Sequence, residues 1–133
     1  MLATPNLTGY QAYQKSKYET ASPHRLILLL YDAAIAKMKQ AIELLEAGRT
    51  AEARPPILKS QDIVCELLAC LNEEQGGEIA QNLKQIYFYV VRQLAMADIR
   101  KEAAYVKEAL EPIMSLRSAW QEIGKEAGLG LRG

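Results

Sequence analysis

One histidine and two cysteines are all that this sequence offers to metal-ligating or nucleophilic chemistry: His24, Cys65 and Cys70. A di-iron bundle needs inward carboxylates with paired Glu-x-x-His motifs, and His24 stands alone. Phosphotransfer bundles present a reactive histidine in mid-helix, whereas His24 follows Pro23 in what reads as a first turn, where an exposed side chain is the ordinary expectation. A cysteine nucleophile needs a base beside it. Cys65 and Cys70 instead sit among aliphatic residues, where a cysteine reads as a small buried hydrophobe. Five residues along a helix set them about 140° apart. No bridge between them is expected, and a reducing cytoplasm suits them. Gly76-Gly77 before Glu78 lacks the spacing of either nucleotide-binding fingerprint and reads as a turn ahead of a helix. The expectation is a protein without catalytic residues, metal or cofactor.

The elements around these residues are helical, because glycine and proline fall at wide intervals and no stretch alternates strictly. Ser22-Pro23 reads as an N-cap with proline at the first helical position. Ile27, Leu30, Ala34, Met38, Ala41 and Leu45 then recur at helical steps, predicting a helix from Pro23 to about Ala47. Thr50 is the expected cap of a second helix, with Ile57, Gln61, Val64, Leu68 and Leu71 on one face and an end near Leu71. Pro55 and Pro56 are tolerable only in its first turn, since an interior proline loses a hydrogen bond and clashes with the turn before it. After a polar connection from Asn72 to Gly77, an a/d pattern runs through Ile79, Leu83, Ile86, Val90, Leu94 and Ala97. A connection around Asp98 to Lys101 leads to a last helix with Val106, Leu110, Ile113, Leu116, Trp120 and Ile123 on one face and a kink at Pro112.

Four amphipathic helices joined by short loops must bury their stripes on one another, so the predicted fold is all-α, an antiparallel up-and-down four-helix bundle. Residues 1–21 precede it as an extension that would act as a lid and add a short helix. Residues 22–123 form the bundle, and 124–133 read as a frayed tail. A chain of 133 residues is one domain's worth, 50% hydrophobic and 24% charged, which sets it apart from disordered and fibrous proteins. Sixteen basic residues balance sixteen acidic ones, so nucleic acid and anionic membranes are not the expected partners. Met1 to Asn6 carries no basic stretch or apolar h-region, and the longest apolar run, Leu26 to Tyr31, is too short to span a bilayer. Neither export nor membrane insertion is expected.

The apolar content exceeds what one stripe per helix requires. Leu28 and Leu29 point away from the face set by Ile27, Leu30 and Ala34; Tyr87, Phe88 and Val91 widen the third helix's arc; Ile63 lies about 120° from the Val64 and Leu68 face by the helical step. The extension and the kinked last helix would cover part of this surplus. The remainder would suit the amphipathic helix of another chain.

Several segments, taken in order, resemble the flagellar export chaperone family FliS. They are Gly9-Tyr10-Gln11-Ala12-Tyr13, Glu19 to Ile27, Leu30-Tyr31-Asp32-Ala33-Ala34, Gln61-Asp62-Ile63, Gly76-Gly77-Glu78-Ile79-Ala80-Gln81-Asn82-Leu83, Tyr87 to Leu94, and Leu116-Arg117 before Ala119-Trp120. The resemblance covers about residues 9–123. Ala33 stands where the family usually has glycine, Phe88 where an acidic residue is frequent, and Pro55-Pro56 and Pro112 fall within helices of similar proteins.

The resemblance implies a cytoplasmic, non-enzymatic chaperone that holds the disordered C-terminal segment of flagellin, prevents early polymerisation and helps deliver it to the flagellar type III export gate. Gate components and regulators of flagellar synthesis would be further partners. Flagellin's terminal segments are helical in the filament, so a segment wrapping this bundle as helix would bury the apolar surplus and occupy the surface that assembly needs. The alternative is an adaptor that sequesters a regulator of flagellar gene expression. The expected contact residues are Leu28, Leu29, Tyr31, Ile63, Tyr87, Phe88 and Val91, with Tyr10 and Tyr13 from the extension.

Overall fold

The computed structural model describes residues 22–127, with side chains through residue 124. Four helices fill this span: α1 Pro23–Glu46, α2 Thr50–Ala69, α3 Glu73–Arg100 and α4 Ala103–Ala127, with no strand among the described residues. Each helix packs on its neighbours in a closed ring, α1 on α2, α2 on α3, α3 on α4 and α4 on α1. This is the all-α up-and-down four-helix bundle expected from the short loops.

Local chemistry sets the helix ends. The Ser22 hydroxyl accepts the Arg25 N–H at 3.1 Å, and Pro23 loses no bond at the first helical position. At the other end of α1, Gly48 turns with φ +78°, its N–H bonding Leu45 O at 3.0 Å while the Arg49 N–H reaches Leu44 O at 2.8 Å. These two bonds close a Schellman turn. Arg49, rather than Thr50, occupies the N-cap of α2, and it makes no side-chain cap bond. Its guanidinium instead grips Glu52, with Nε 3.1 Å from Oε2.

Pro55 and Pro56 lie in the second turn of α2, which runs through them. The first-turn expectation therefore gives way. The carbonyls deprived of an N–H partner belong to Ala51 and Glu52, both exposed, where water can take the missing bonds. The polar connection expected from Asn72 to Gly77 is a helical turn capped by Asn72, whose side chain accepts the Gln75 N–H at 3.1 Å. Gly77, at φ +55° and ψ −127°, then breaks the axis in a conformation that glycine alone adopts without strain. Across the break Glu73 reaches forward to Gln81 at 2.9 Å and Lys84 at 3.2 Å.

The third helix also outruns its expected end. Asp98 is helical and paired with Arg54 at 3.2 Å, and the chain turns instead at Lys101 with φ +60°. Helix α4 continues through Pro112 and past Gly124, so residues 124–127 belong to it.

The core takes Met38 from α1, Ile57, Val64 and Leu67 from α2, Val90 and Leu94 from α3, and Val106 and Ile113 from α4, all at most 1% exposed. Alanines at 34, 41, 53, 97 and 109, each fully buried, let the backbones approach closely. On α2 the buried face carries Leu67 and Ser60, with Leu68, Leu71 and Gln61 half-buried at its edge. Ser60 is accommodated because its hydroxyl donates to Pro56 O at 2.8 Å. The a/d reading of α3 holds from Val90 to Ala97 and fails at its beginning, where Leu83 and Ile86 are half-buried and Ile79 is 72% exposed. Ile123 on α4 is likewise 53% exposed.

Candidate functional site

The expected contact residues separate into three groups. Tyr31, Ile63 and Tyr87 lie inside the contiguous core, at 2%, 7% and 2% exposure, so the bundle itself covers what the sequence presents as surplus. Their helical angle places them off the narrow a/d seam, but a four-helix bundle offers each helix two neighbours and so buries a wider arc. Tyr31 and Tyr87 meet hydroxyl to hydroxyl at 2.6 Å. Burial pushes both phenols above their ordinary range; the mutual hydrogen bond opposes the shift at Tyr31 and adds to it at Tyr87. Leu28 and Leu29 are buried as well, yet they stand outside that contiguous core.

Phe88 and Val91 form the accessible group on α3, the first exposed and the second half-buried. Val91 also offers its carbonyl to the Gln61 amide at 3.2 Å, which ties α3 to α2. Tyr10 and Tyr13 lie outside the described residues.

The sequence reading missed other exposed groups. Among the described residues the large exposed hydrophobics are Ile79, Phe88 and Ile99 on α3 and Met114 and Ile123 on α4. Nothing of the kind lies on α1 or α2 in the described part. A groove of about 410 Å³ runs between α3 and α4, lined by Gln85, Ile86, Tyr89, Glu108, Glu111 and Pro112. The Arg92 guanidinium sits 5.6 Å above the Tyr89 ring. The local signal for this surface was present in Ile79 and Ile123, but an a/d pattern reads the same whether or not a neighbouring helix is there to bury it.

The chemically capable side chains occupy ordinary structural positions. Cys65 and Cys70 are free and exposed, not buried as their aliphatic context suggests. Burial, followed by the Glu66 carboxylate, raises the Cys70 thiol above its usual range and so disfavours the reactive thiolate. His24 is half-buried against Trp120, with ring centroids 5.1 Å apart and Nε2 2.7 Å from Trp120 O. No group of three or more His, Cys, Asp or Glu side chains among the described residues is placed to hold a metal. No described helix is long and apolar enough to cross a membrane. What the described surface offers is apolar area along two adjacent helices, which suits docking of another polypeptide.

Comparison with known proteins agrees with that character. The family model for the flagellar protein FliS matches residues 6–127. The flagellar secretion chaperone FliS of Salmonella typhimurium is 34% identical over 125 residues, covering 90% of this chain and 93% of that one. Its counterpart in Vibrio cholerae is 32% identical over 120 residues, 87% and 88% of the two chains. That of Bacillus subtilis is 27% identical over 113 residues, 85% and 84%. With its bundle, its exposed apolar helices and a family match along nearly the whole sequence, this chain belongs to the FliS family of flagellar secretion chaperones.

Proposed function

We propose that the protein is a cytoplasmic, non-enzymatic export chaperone that binds the disordered C-terminal segment of flagellin, prevents its early polymerisation and assists its delivery to the type III export gate. The observation that carries this reading is the family match along residues 6–127, which spans all four helices. Physical support comes from α3, where Phe88 is 47% exposed beside half-buried Val91 on a neutral protein. A disordered segment that folds as an amphipathic helix on such a surface hides its own apolar face while bound. Flagellin held in that way lacks the surface it needs to join a filament, so capture blocks assembly by competition.

The contact set follows from accessibility. Phe88 and Val91 meet the client directly, Leu28 and Leu29 join when the extension moves aside, and Tyr31, Ile63 and Tyr87 hold the helices beneath. Tyr10 and Tyr13 would contribute from the extension.

Calorimetric titration of the protein with full-length flagellin, and with flagellin lacking its C-terminal segment, tests the reading. The expected result is one-to-one binding with a large negative heat-capacity change, lost on truncation. Equal affinity for the truncated flagellin would overturn it, as would tight binding to a flagellar regulator with none to flagellin.

A further inference from the structure

The α3–α4 groove has a composition that the client reading leaves unused. Its floor is apolar, from Ile86, Tyr89 and Pro112, and its α4 rim carries the carboxylates of Glu108 and Glu111. Among the described residues neither carboxylate is paired with a cation: Glu108 takes the neutral amide of Gln93 at 2.5 Å, and Glu111 is exposed. Pro112 has no N–H for the Glu108 carbonyl one turn before it, so a backbone acceptor on that stretch of α4 lacks its helical donor. No cation is among the lining residues; Arg92 is held over the ring of the lining Tyr89. The rim is therefore rich in acceptors and poor in donors.

Beyond the groove, towards the α3 N-terminus, two exposed isoleucines prolong its apolar line. The Gln93–Glu108 bond fixes the antiparallel register of α3 and α4. Counting from it, Ile79 lies 14 residues back on α3 and Ile123 lies 15 residues forward on α4, so the two stand at one level. Ile79 shares a helix stripe with Ile86, one heptad on, and Ile123 shares one with Pro112 and Glu108. They are 72% and 53% exposed. On the α3 side, Glu78 lies one heptad before Gln85 and adds a third carboxylate, on the opposite rim. The strip from Gln93 to Ile79 is about 21 Å long, the length of a helix of about 14 residues.

We infer that this groove docks a basic amphipathic helix from a partner distinct from the export client. Its apolar face covers Ile79, Ile86, Tyr89, Pro112 and Ile123. Lysine or arginine side chains along its two flanks meet Glu108 and Glu111 on one rim and Glu78 on the other, and one of them donates to the Glu108 carbonyl. Charge selects the occupant: an acidic or neutral helix finds the same floor but leaves the rim carboxylates unmatched. The same face of a second copy is a poor occupant, because α3 and α4 present their own carboxylates along it. The inference goes beyond the proposed chaperone function and does not depend on flagellin being the client.

The test uses the full chain and a labelled peptide of about 14 residues, the helix length the strip accepts, built from leucine at helical spacing with lysine between. A second peptide carries glutamate in place of lysine. The expected result is that the lysine peptide shifts amide resonances along Ile79–Gln93 and Glu108–Ile123, binds at least tenfold more tightly than the glutamate peptide, and loses affinity as salt rises. Glu108→Gln with Glu111→Gln should weaken it about tenfold. Glu43→Gln with Asp62→Gln, both exposed and away from the groove, should not. Both double variants change surface side chains, and matching circular dichroism melts would show that folding is intact. Equal affinity of the two peptides, shifts centred on α1 and α2, or an undiminished affinity in the Glu108/Glu111 variant would overturn the inference. So would displacement of the lysine peptide by the flagellin C-terminal segment, which would assign the groove to the client. A dimer in sedimentation that the lysine peptide dissociates would assign it to a second copy.

Discussion

His24 and Trp120, 96 residues apart in sequence, hold each other by two hydrogen bonds and a ring stack. The His24 Nε2–H donates to the Trp120 carbonyl at 2.7 Å, the Trp120 indole N–H donates to the His24 carbonyl at 3.0 Å, and the rings lie within 11° of parallel. One helical turn on, Gly124 leaves room for the imidazole: a Cβ there would stand 2.0 Å from His24 Cε1. Nearby, Arg117 bonds Asp32 at 2.6 Å, so α4 grips the first half of α1 at two levels. The clasp fixes the beginning of α1 against the far end of α4.

Gly124→Ala tests the clasp with opposing signs. By helix propensity alone alanine would gain about 1 kcal/mol in this position. Expelling the imidazole would cost its hydrogen bond to the Trp120 carbonyl and its stack on the indole, at about 1 kcal/mol each. The expected net is a loss of about 1 kcal/mol, with a red shift in the fluorescence of Trp120, the single tryptophan. A more stable variant with unchanged emission would show that the clasp carries no weight.

The buried tyrosine pair makes a second prediction. Two hydroxyls share one bond at 2.6 Å, so one phenol donates and the other's proton has no acceptor among the described residues. Tyr31→Phe or Tyr87→Phe alone strands a hydroxyl and should cost about 1–3 kcal/mol, while the double variant should recover most of that loss. Additive single losses in denaturant melts would contradict this account.

The same pair sets an alkaline limit. Each phenol is raised above its ordinary 10.0 in the folded state. Above that value the unfolded chain loses the proton while the folded chain keeps it, so stability present at neutral pH falls as pH rises beyond about 10. The double Phe variant should show a shallower decline than the parent between pH 10 and 11 in thermal melts.

Much of the fold was legible because long, strongly periodic segments bury what they must. Pro23, Gly48 and the Leu30-to-Leu45 period bound α1 to within a residue, and Val90, Leu94 and Ala97 lie where their spacing puts them. Periodicity identifies an apolar face but not the neighbour that covers it, which is why Ile79 and Ile123 read as core while lying on the surface. In the run Leu28-Leu29-Leu30-Tyr31 every residue is apolar, so no moment singles out Tyr31 as the one that crosses the bundle to Tyr87. The His24–Trp120 clasp has no local signature at all, since it depends on a register between the two ends of the chain.

Substitution along α3 separates face from burial. Ile79→Asp places a charge in water and should change stability by no more than about 0.5 kcal/mol. Leu94→Asp, at a site with no exposure, should cost several kcal/mol and abolish cooperative folding. Comparable melting of the two variants by circular dichroism would refute the assignment of the α3 core to its C-terminal half.

The last prediction concerns residues 1–21, which we propose cover Leu28 and Leu29 in the free protein and move when flagellin arrives. Both leucines are buried, at 7% and 9% exposure, while standing apart from the contiguous core that the four helices make with one another. Tyr10 and Tyr13 are three residues apart and would lie side by side if the chain around them is helical, giving the extension an apolar side to lay on α1. Such a cover keeps apolar surface from aggregating, and it lowers client affinity by the fraction of time the site is closed. Deleting residues 1–16 separates this from two simpler arrangements. A lid requires tighter or faster flagellin binding and poorer solubility of the free protein. A permanent part of the core requires a lower melting temperature even with client bound, and a direct client contact requires weaker binding. Unchanged affinity together with unchanged solubility would remove the lid, because a cover that neither competes with the client nor shields apolar surface covers nothing.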